Sequence, residues 1–314
     1  MVCLLLFKQS FAQEAELIRF CEENRFNPTE FSQKLTGKKA NTPTMRILKV
    51  YEKSLNGNYK GFIHDASMLH SIKNQSINNA FILHLKQLEE CEYSLLNGEF
   101  YAAKKGLEQA VSFARKKHEN QWVSQAYRLY SKVYLYENKK DSADLFINRA
   151  IEFAKRSTNE LELALCLHQS ALNHAQFSNI QEAVTQELLA LQVVEKLNNT
   201  YYECIFNRFI AELSLDAGNL REAENYLRKS QLKSRRISSK RLKLENDILR
   251  ARIEIRKGYP NEVLAFLPSS VKGLEQLKDY ISLGEAWMVL GETYNASGQV
   301  NKSLEAFNTS LTYF

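Results

Sequence analysis

Apolar and small residues recur along this chain at helical spacing, and the pattern that carries them recurs as a block. The segments "NGEFYAAKKGLEQA", "ENKKDSADLFINRA", "FSNIQEAVTQELLA", "AGNLREAENYLRKS", "KGYPNEVLAFLPSS" and "ASGQVNKSLEAFNTS" align without a gap. Their equivalent positions are Ala103, Ala143, Ala183, Ala223, Val263 and Ser303, each 40 residues from the next. One such segment alone would read as an ordinary helix start, whereas five identical intervals make a repeat array. In each block a helical stretch precedes a short polar or Gly-containing turn, and a second helical stretch follows. The turns carry Asn97-Gly98, Ala217-Gly218, Lys257-Gly258 and Ser297-Gly298, where Gly gives the backbone freedom for a tight reversal. The small residue early in the second stretch lets it pack close on the first. The pattern predicts an all-α chain of stacked antiparallel helix pairs.

The last block, "AWMVLGETYNASGQVNKSLEAFNTSLTYF", is the most explicit. Trp287, Leu290, Gly291 and Tyr294 follow one another at intervals of three, one and three, so they share one helical face, with Gly291 opening it to a close neighbour. Ser303, Phe307 and Ser310 do the same on the second helix. This resembles the tetratricopeptide repeat family, whose signature is Trp-x2-Leu-Gly-x2-Tyr followed by Ala, Phe and Ala. The resemblance implies a right-handed α–α superhelical solenoid. Other blocks match less fully: "YRLYSKVY" offers Tyr127, Tyr130, Ser131 and Tyr134, and "NRFIAELS" offers Asn207, Ile210, Ala211 and Ser214. The 40-residue period exceeds the family's usual 34 or so, which predicts longer helices or longer connections, as in the extended repeats of some bacterial regulators and motor light chains.

Six units are expected to begin near residues 84, 124, 164, 204, 244 and 284, the last incomplete, after a degenerate unit over about 41–82. Residues 14–40 read as an N-terminal helical cap broken near Asn27-Pro28, since Pro starts a helix but does not continue one. Residues 1–13 have two readings. Their short apolar run followed by small and polar residues near Ala12-Gln13 resembles the remnant of an export signal without its basic leader, and they also suit an amphipathic helix. The first reading places the protein in the periplasm or cell envelope, the second in the cytoplasm. At the other end Phe314 falls inside a helix where a solenoid needs a polar closing face, so a truncation or a docking surface is expected there.

Composition agrees with the helical reading, with 4 Pro and 11 Gly in 314 residues. The net charge of +6, from 42 basic and 36 acidic residues, lacks the concentrated excess of a nucleic-acid binder. A basic run, "KSQLKSRRISSKRLKLENDILRAR", is expected to be a solvated link between two units, because stacking aromatics are missing. No window approaches the ~18 apolar residues of a membrane span. Five widely spaced cysteines form no C-x-x-C pair, and the six histidines no H-E-x-x-H, so no metal or cofactor is expected. Phosphate-binding and nucleophile motifs are also missing, and no catalytic residue is assigned.

Binding suits the architecture better. By the family resemblance, the groove is lined by the residues just after the Trp-equivalent, namely Leu88, Arg128, His168, Arg208, Ile248 and Met288, and by those four beyond, namely Glu92, Lys132, Leu172, Glu212, Arg252 and Glu292. Arg128, Lys132, Arg208 and Arg252 group toward the middle, where Arg grips carboxylates in a fork, so an acidic or C-terminal peptide segment is one expected ligand. The other reading is that these charges only solvate the face. Three functions follow: a non-enzymatic scaffold forming the sensing portion of a bacterial signalling protein with a kinase or helix-turn-helix output elsewhere, a cytoplasmic peptide-responsive regulator, and an enzyme with a scattered site.

Overall fold

The computed structural model describes residues 15–21, 28–55 and 59–313. The signal-like run over 1–13, the Gly57 turn and Phe314 lie outside them. The chain divides into two compact units, Met1–Ala110 and Val111–Phe314.

In the first unit the helices are α1 (15–21), α2 (Pro28–Leu35), α3 (Pro43–Leu55), α4 (Tyr59–Ala66) and α5 (Ala80–Leu96), and α6 (Phe100–Lys116) begins in it. Pro28 opens α2, the position at which its missing N–H costs nothing. Two 3-10 turns, Leu69–Ser71 and Asn74–Ser76, stand between α4 and α5. Phe31, Leu35, Ile47, Leu48, Phe62 and Leu69 are fully buried there, and Lys86 of α5 donates to Asn74 (3.1 Å) and Glu90 (2.8 Å), tying the second turn to the helix.

The second unit holds α7 (Asn120–Tyr136), α8 (Lys140–Arg156), α9 (Glu160–Gln176), α10 (Ile180–Lys196), α11 (Thr200–Asp216), α12 (Leu220–Arg236), α13 (Lys240–Arg256), α14 (Pro260–Leu277), α15 (Tyr280–Ala296) and α16 (Val300–Leu311). From α7 to α13 every helix has 17 residues and each link three. The length beyond the common repeat therefore lies in the helices, not in the connections. The basic run expected to be a link is correspondingly helical: it occupies the end of α12 and the start of α13, with only 237–239 between them.

Each link turns on one left-handed residue. From Gly98 to Gly298 these residues fall every 20 positions: Gly98, His118, Asn138, Thr158, Ser178, Asn198, Gly218, Ser238, Gly258, Lys278 and Gly298, with φ between 51° and 86°. At every link but one the next N–H then returns to a carbonyl five residues back, as in Lys139 to Tyr134 (2.9 Å) and Asn219 to Ser214 (2.8 Å), which satisfies the end of the helix just closed; after Thr158 the Asn159 N–H donates to Ser157 Oγ at 3.3 Å instead.

Within each pair the two helices cross on small residues. Ala143, Ala183, Ala223, Val263 and Ser303 are all buried. Where a hydroxyl stands at the crossing it donates to the facing backbone: Ser131 to Ala143 O (2.9 Å), Ser124 to Ala150 O (2.9 Å), Ser303 to Gly291 O (2.8 Å) and Ser310 to Gly284 O (2.7 Å). The Phe307 ring lies over Gly291, where an added Cβ would stand 2.6 Å from it. Trp287, Leu290 and Tyr294 complete that cluster.

Candidate functional site: the face of the first helices

The first helices of the pairs, α7, α9, α11, α13 and α15, pack on their own second helix, and α9, α11, α13 and α15 also pack on the second helix of the preceding pair. In addition α7 packs on α9, α11 on α13 and α13 on α15, while among the described residues no contact as close joins successive second helices from α8 to α16. The first helices thus form a close inner layer and the second helices splay. On α11 no residue from Thr200 to Leu215 is exposed, whereas α12 is open along one whole face.

The inner layer carries charge despite its burial. Arg128 on α7 reaches Glu162 at the start of α9, Nε to Oε1 at 3.0 Å and Nη2 to Oε2 at 3.4 Å. The Glu162 side chain has no exposure and Arg128 keeps 28%. Burial opposes the Arg128 charge, and Glu162 more than offsets it, so the guanidinium is held above its ordinary pKa. Ser124 Oγ also stands 3.3 Å from the same carboxylate.

One repeat on, His168 sets Nδ1 2.8 Å from Oε2 and 3.0 Å from Oε1 of the fully buried Glu187 of α10. Its ring stacks on Phe206 (4.9 Å) and meets the edge of Phe209 (5.3 Å). Burial raises the Glu187 pKa, with His168 offsetting part of the rise.

The next position, Arg208, binds Glu212 of its own helix and stands 3.7 Å from Glu245 of α13. Glu245 also takes Arg241 (3.0 Å), which bridges to the buried Asp279 at the start of α15 (3.0 Å). Glu285 lies beside this network, its carboxyl pushed up by burial and by Glu212. Arg252 pairs with Asp216 at 3.4 Å. Lys132 is half-buried on α7. Of the apolar positions, Leu172 is half-buried, Ile248 buried and Met288 exposed, while Glu292 is exposed. Leu88 and Glu92 are half-buried on α5 of the first unit.

The candidate residues therefore recur at one register of the first helices, but Arg128, Arg208 and Arg252 do not stand as free cations. Arg208's nearer partner, Glu212, was a sequence candidate, but Glu162, Glu245 and Asp216, the partners on other helices, were not. A partner lying 34, 36 or 37 residues away on a neighbouring first helix has no local signature, and only the 40-residue period combined with helix-to-helix stacking could have paired them.

Cys21, Cys91, Cys166 and Cys204 are buried free thiols whose pKa values burial drives upward, Cys21 to about 12, so the thiolate is suppressed. No helix among the described residues is long and apolar enough to cross a membrane.

No family model matches the chain, and no curated protein matches it by sequence. Solved structures do. A Rap protein complexed with competence and sporulation factor superposes with a TM-score of 0.68 at 14% identity, over 96% of this chain and 85% of that one. NprR in complex with its cognate peptide NprX gives 0.63 at 11% identity, over 100% and 90%. Aspartyl phosphate phosphatase F from Bacillus subtilis gives 0.63 at 15% identity, over 85% and 70%.

The fold is a tetratricopeptide-type repeat array. Within it the Trp287–Tyr294 signature packs α15 on α16, and the charged register lies along the first helices.

Proposed function

We propose that the chain is a non-enzymatic tetratricopeptide scaffold that binds a peptide or protein segment along its first-helix face, as the sensing portion of a bacterial signalling protein. The observation that carries this reading is the inner layer itself. First helices stacked on one another present half-exposed charged and apolar side chains at one register, a row suited to an extended or helical segment. The similarity to NprR, whose structure holds its cognate peptide, supports it at the level of fold.

The recognised segment is of mixed polarity rather than strongly acidic, because Arg128 and Arg208 are already matched by carboxylates. Arg252 is the groove cation best placed to exchange partners, since Asp216, at 47% exposure, gives it up to water most easily. Met288 supplies an adaptable apolar contact nearby on α15.

Selection of a random peptide display library on the full chain tests this. Enriched peptides are expected to lose about tenfold or more in affinity with Arg252→Glu and with Met288→Arg, and to be indifferent to Arg228→Glu on the outer face of α12. Absence of enrichment, or binding that ignores the first-helix substitutions, would overturn the reading.

A further inference from the structure

A cavity of about 610 Å³ opens away from the inner layer, between α12 and α14 and over α13. Its origin is in the sequence. At the positions where α10 carries Thr185 and Leu189, and α12 carries Asn225 and Lys229, α14 has Ala265 and Ser269. Two short side chains leave the crevice between successive second helices unfilled.

Three cations meet at this cavity, Arg235 from α12 and Lys243 and Arg250 from α13. Around them the same basic run is neutralised: Lys233 binds Glu203, and Arg241 binds Glu245 and Asp279. Lys257 likewise takes Glu224 (2.8 Å) and Glu254 (3.2 Å), the acids at one end of the cavity. Arg235, Lys243 and Arg250 have no carboxylate within ion-pair distance among the described residues, and Arg250 lies over the Phe266 ring at 4.3 Å. Between them Asp247, half-buried, accepts from Ser270 at 2.9 Å through Oδ2 and leaves Oδ1 without a hydrogen bond to the described residues. Gln231 and Ser269 add donors and acceptors to the wall.

We propose that this crevice binds a small phosphorylated polyol, its phosphate held by Arg235, Lys243 and Arg250 and its hydroxyls by Asp247 and Gln231. Three converging cations suit a dianion. An acceptor carboxylate beside them suits hydroxyl donors and disfavours a bare anion, which would meet Asp247 with nothing to donate. The volume lies in the range of small-ligand pockets. The site does not depend on the first-helix face, so its failure would leave the peptide reading intact.

Isothermal titration of the full chain with glucose 6-phosphate, glucose and inorganic phosphate provides the test. Glucose 6-phosphate is expected to bind with a dissociation constant on the order of 0.1 mM, at least about tenfold tighter than either of the others. Arg235→Glu with Arg250→Glu should abolish that binding. Ser269→Leu, which installs the residue α10 carries at the matching position, should block the crevice without changing its charge, with circular dichroism confirming the fold. Absence of binding by glucose 6-phosphate, equal binding by inorganic phosphate alone, or unchanged binding in the Ser269→Leu protein would each overturn the proposal.

Discussion

From α7 to α14 the first and second helices of each pair in the Val111–Phe314 unit are of nearly equal length, yet they are stabilised differently. Second helices are ordinary amphipathic surface helices: α8 buries Ala143, Ile147, Ala150 and Ala154 along one stripe and leaves the rest to water. First helices are enclosed on three sides, so their polar groups have to be satisfied inside the protein. Asn173 of α9 donates to Ser131 of α7 (2.8 Å) and accepts from Gln169 (3.1 Å), all three buried. Ser230 of α12 donates to Asn246 of α13 at 2.8 Å. A hydrogen bond in such a place adds about 1 kcal/mol when made and costs more when only one partner remains. The inner layer therefore specifies which helix stacks on which, while the outer layer supplies apolar burial.

Ion pairs give the sharpest way to break this comparison. Arg128→Met leaves Glu162 enclosed without its cation and is expected to cost about 3 kcal/mol, the low end for one partner of a buried pair because Arg128 keeps some water contact. Arg156→Met removes a pair of the same chemistry on α8, where Arg156 and Glu152 are both 56% exposed, and should change stability by less than about 0.5 kcal/mol. Urea unfolding of the two variants measures the difference. Equal costs would show that the inner layer is as well solvated as the outer.

Helix starts provide a smaller contrast. First helices are capped by side chains: Asn159 accepts from Glu162 N (3.0 Å), Asn199 from Tyr202 N (3.2 Å), Ser239 from Leu242 N (3.3 Å) and Asp279 from Ser282 N (3.3 Å). Among them α7 is the exception, with Glu119 making no cap. Second helices start without side-chain caps even where the residue type would allow one, as at Asn179 and Asn219. Asn199→Ala is expected to lower stability by about 1 kcal/mol and Asn219→Ala by a few tenths at most. Thermal unfolding distinguishes them, and a similar loss at both would mean that residue type, not position in the pair, decides.

How much of this could be read from the chain follows from the range of each signal. The helix pairs were legible because small residues at the crossings, from Ala103 to Ser303, must recur wherever two helices touch, and Gly98, Gly218, Gly258 and Gly298 mark turns within a pair. The candidate register, Arg128, His168 and Arg208, was placed by the same period. Its meaning was not, since Glu162, Glu187 and Glu245 come from other helices and read locally as ordinary helix-surface acids. The turns between pairs were also hidden. His118, Thr158, Asn198, Ser238 and Lys278 hold the left-handed conformation without the residue that normally announces it.

That last contrast supports the smallest of the expected effects. Turns within a pair use Gly at four of six positions, and turns between pairs use none. At Thr158, φ is 53° on a β-branched residue, a conformation that costs an L-residue about 1–2 kcal/mol. Thr158→Gly removes that strain but gives back about 0.4–1 kcal/mol through the freer unfolded chain, so a net gain of about 0.5 kcal/mol is expected. Gly218→Thr is the reverse experiment: nothing lies within 4 Å of the added Cβ, so only backbone strain opposes it, and it should lose a similar amount. Calorimetric unfolding of both variants tests the pair. If Thr158→Gly destabilises instead, the Thr158 side chain contributes to the turn between pairs more than its backbone costs, and the two kinds of link differ in side-chain contacts rather than in strain.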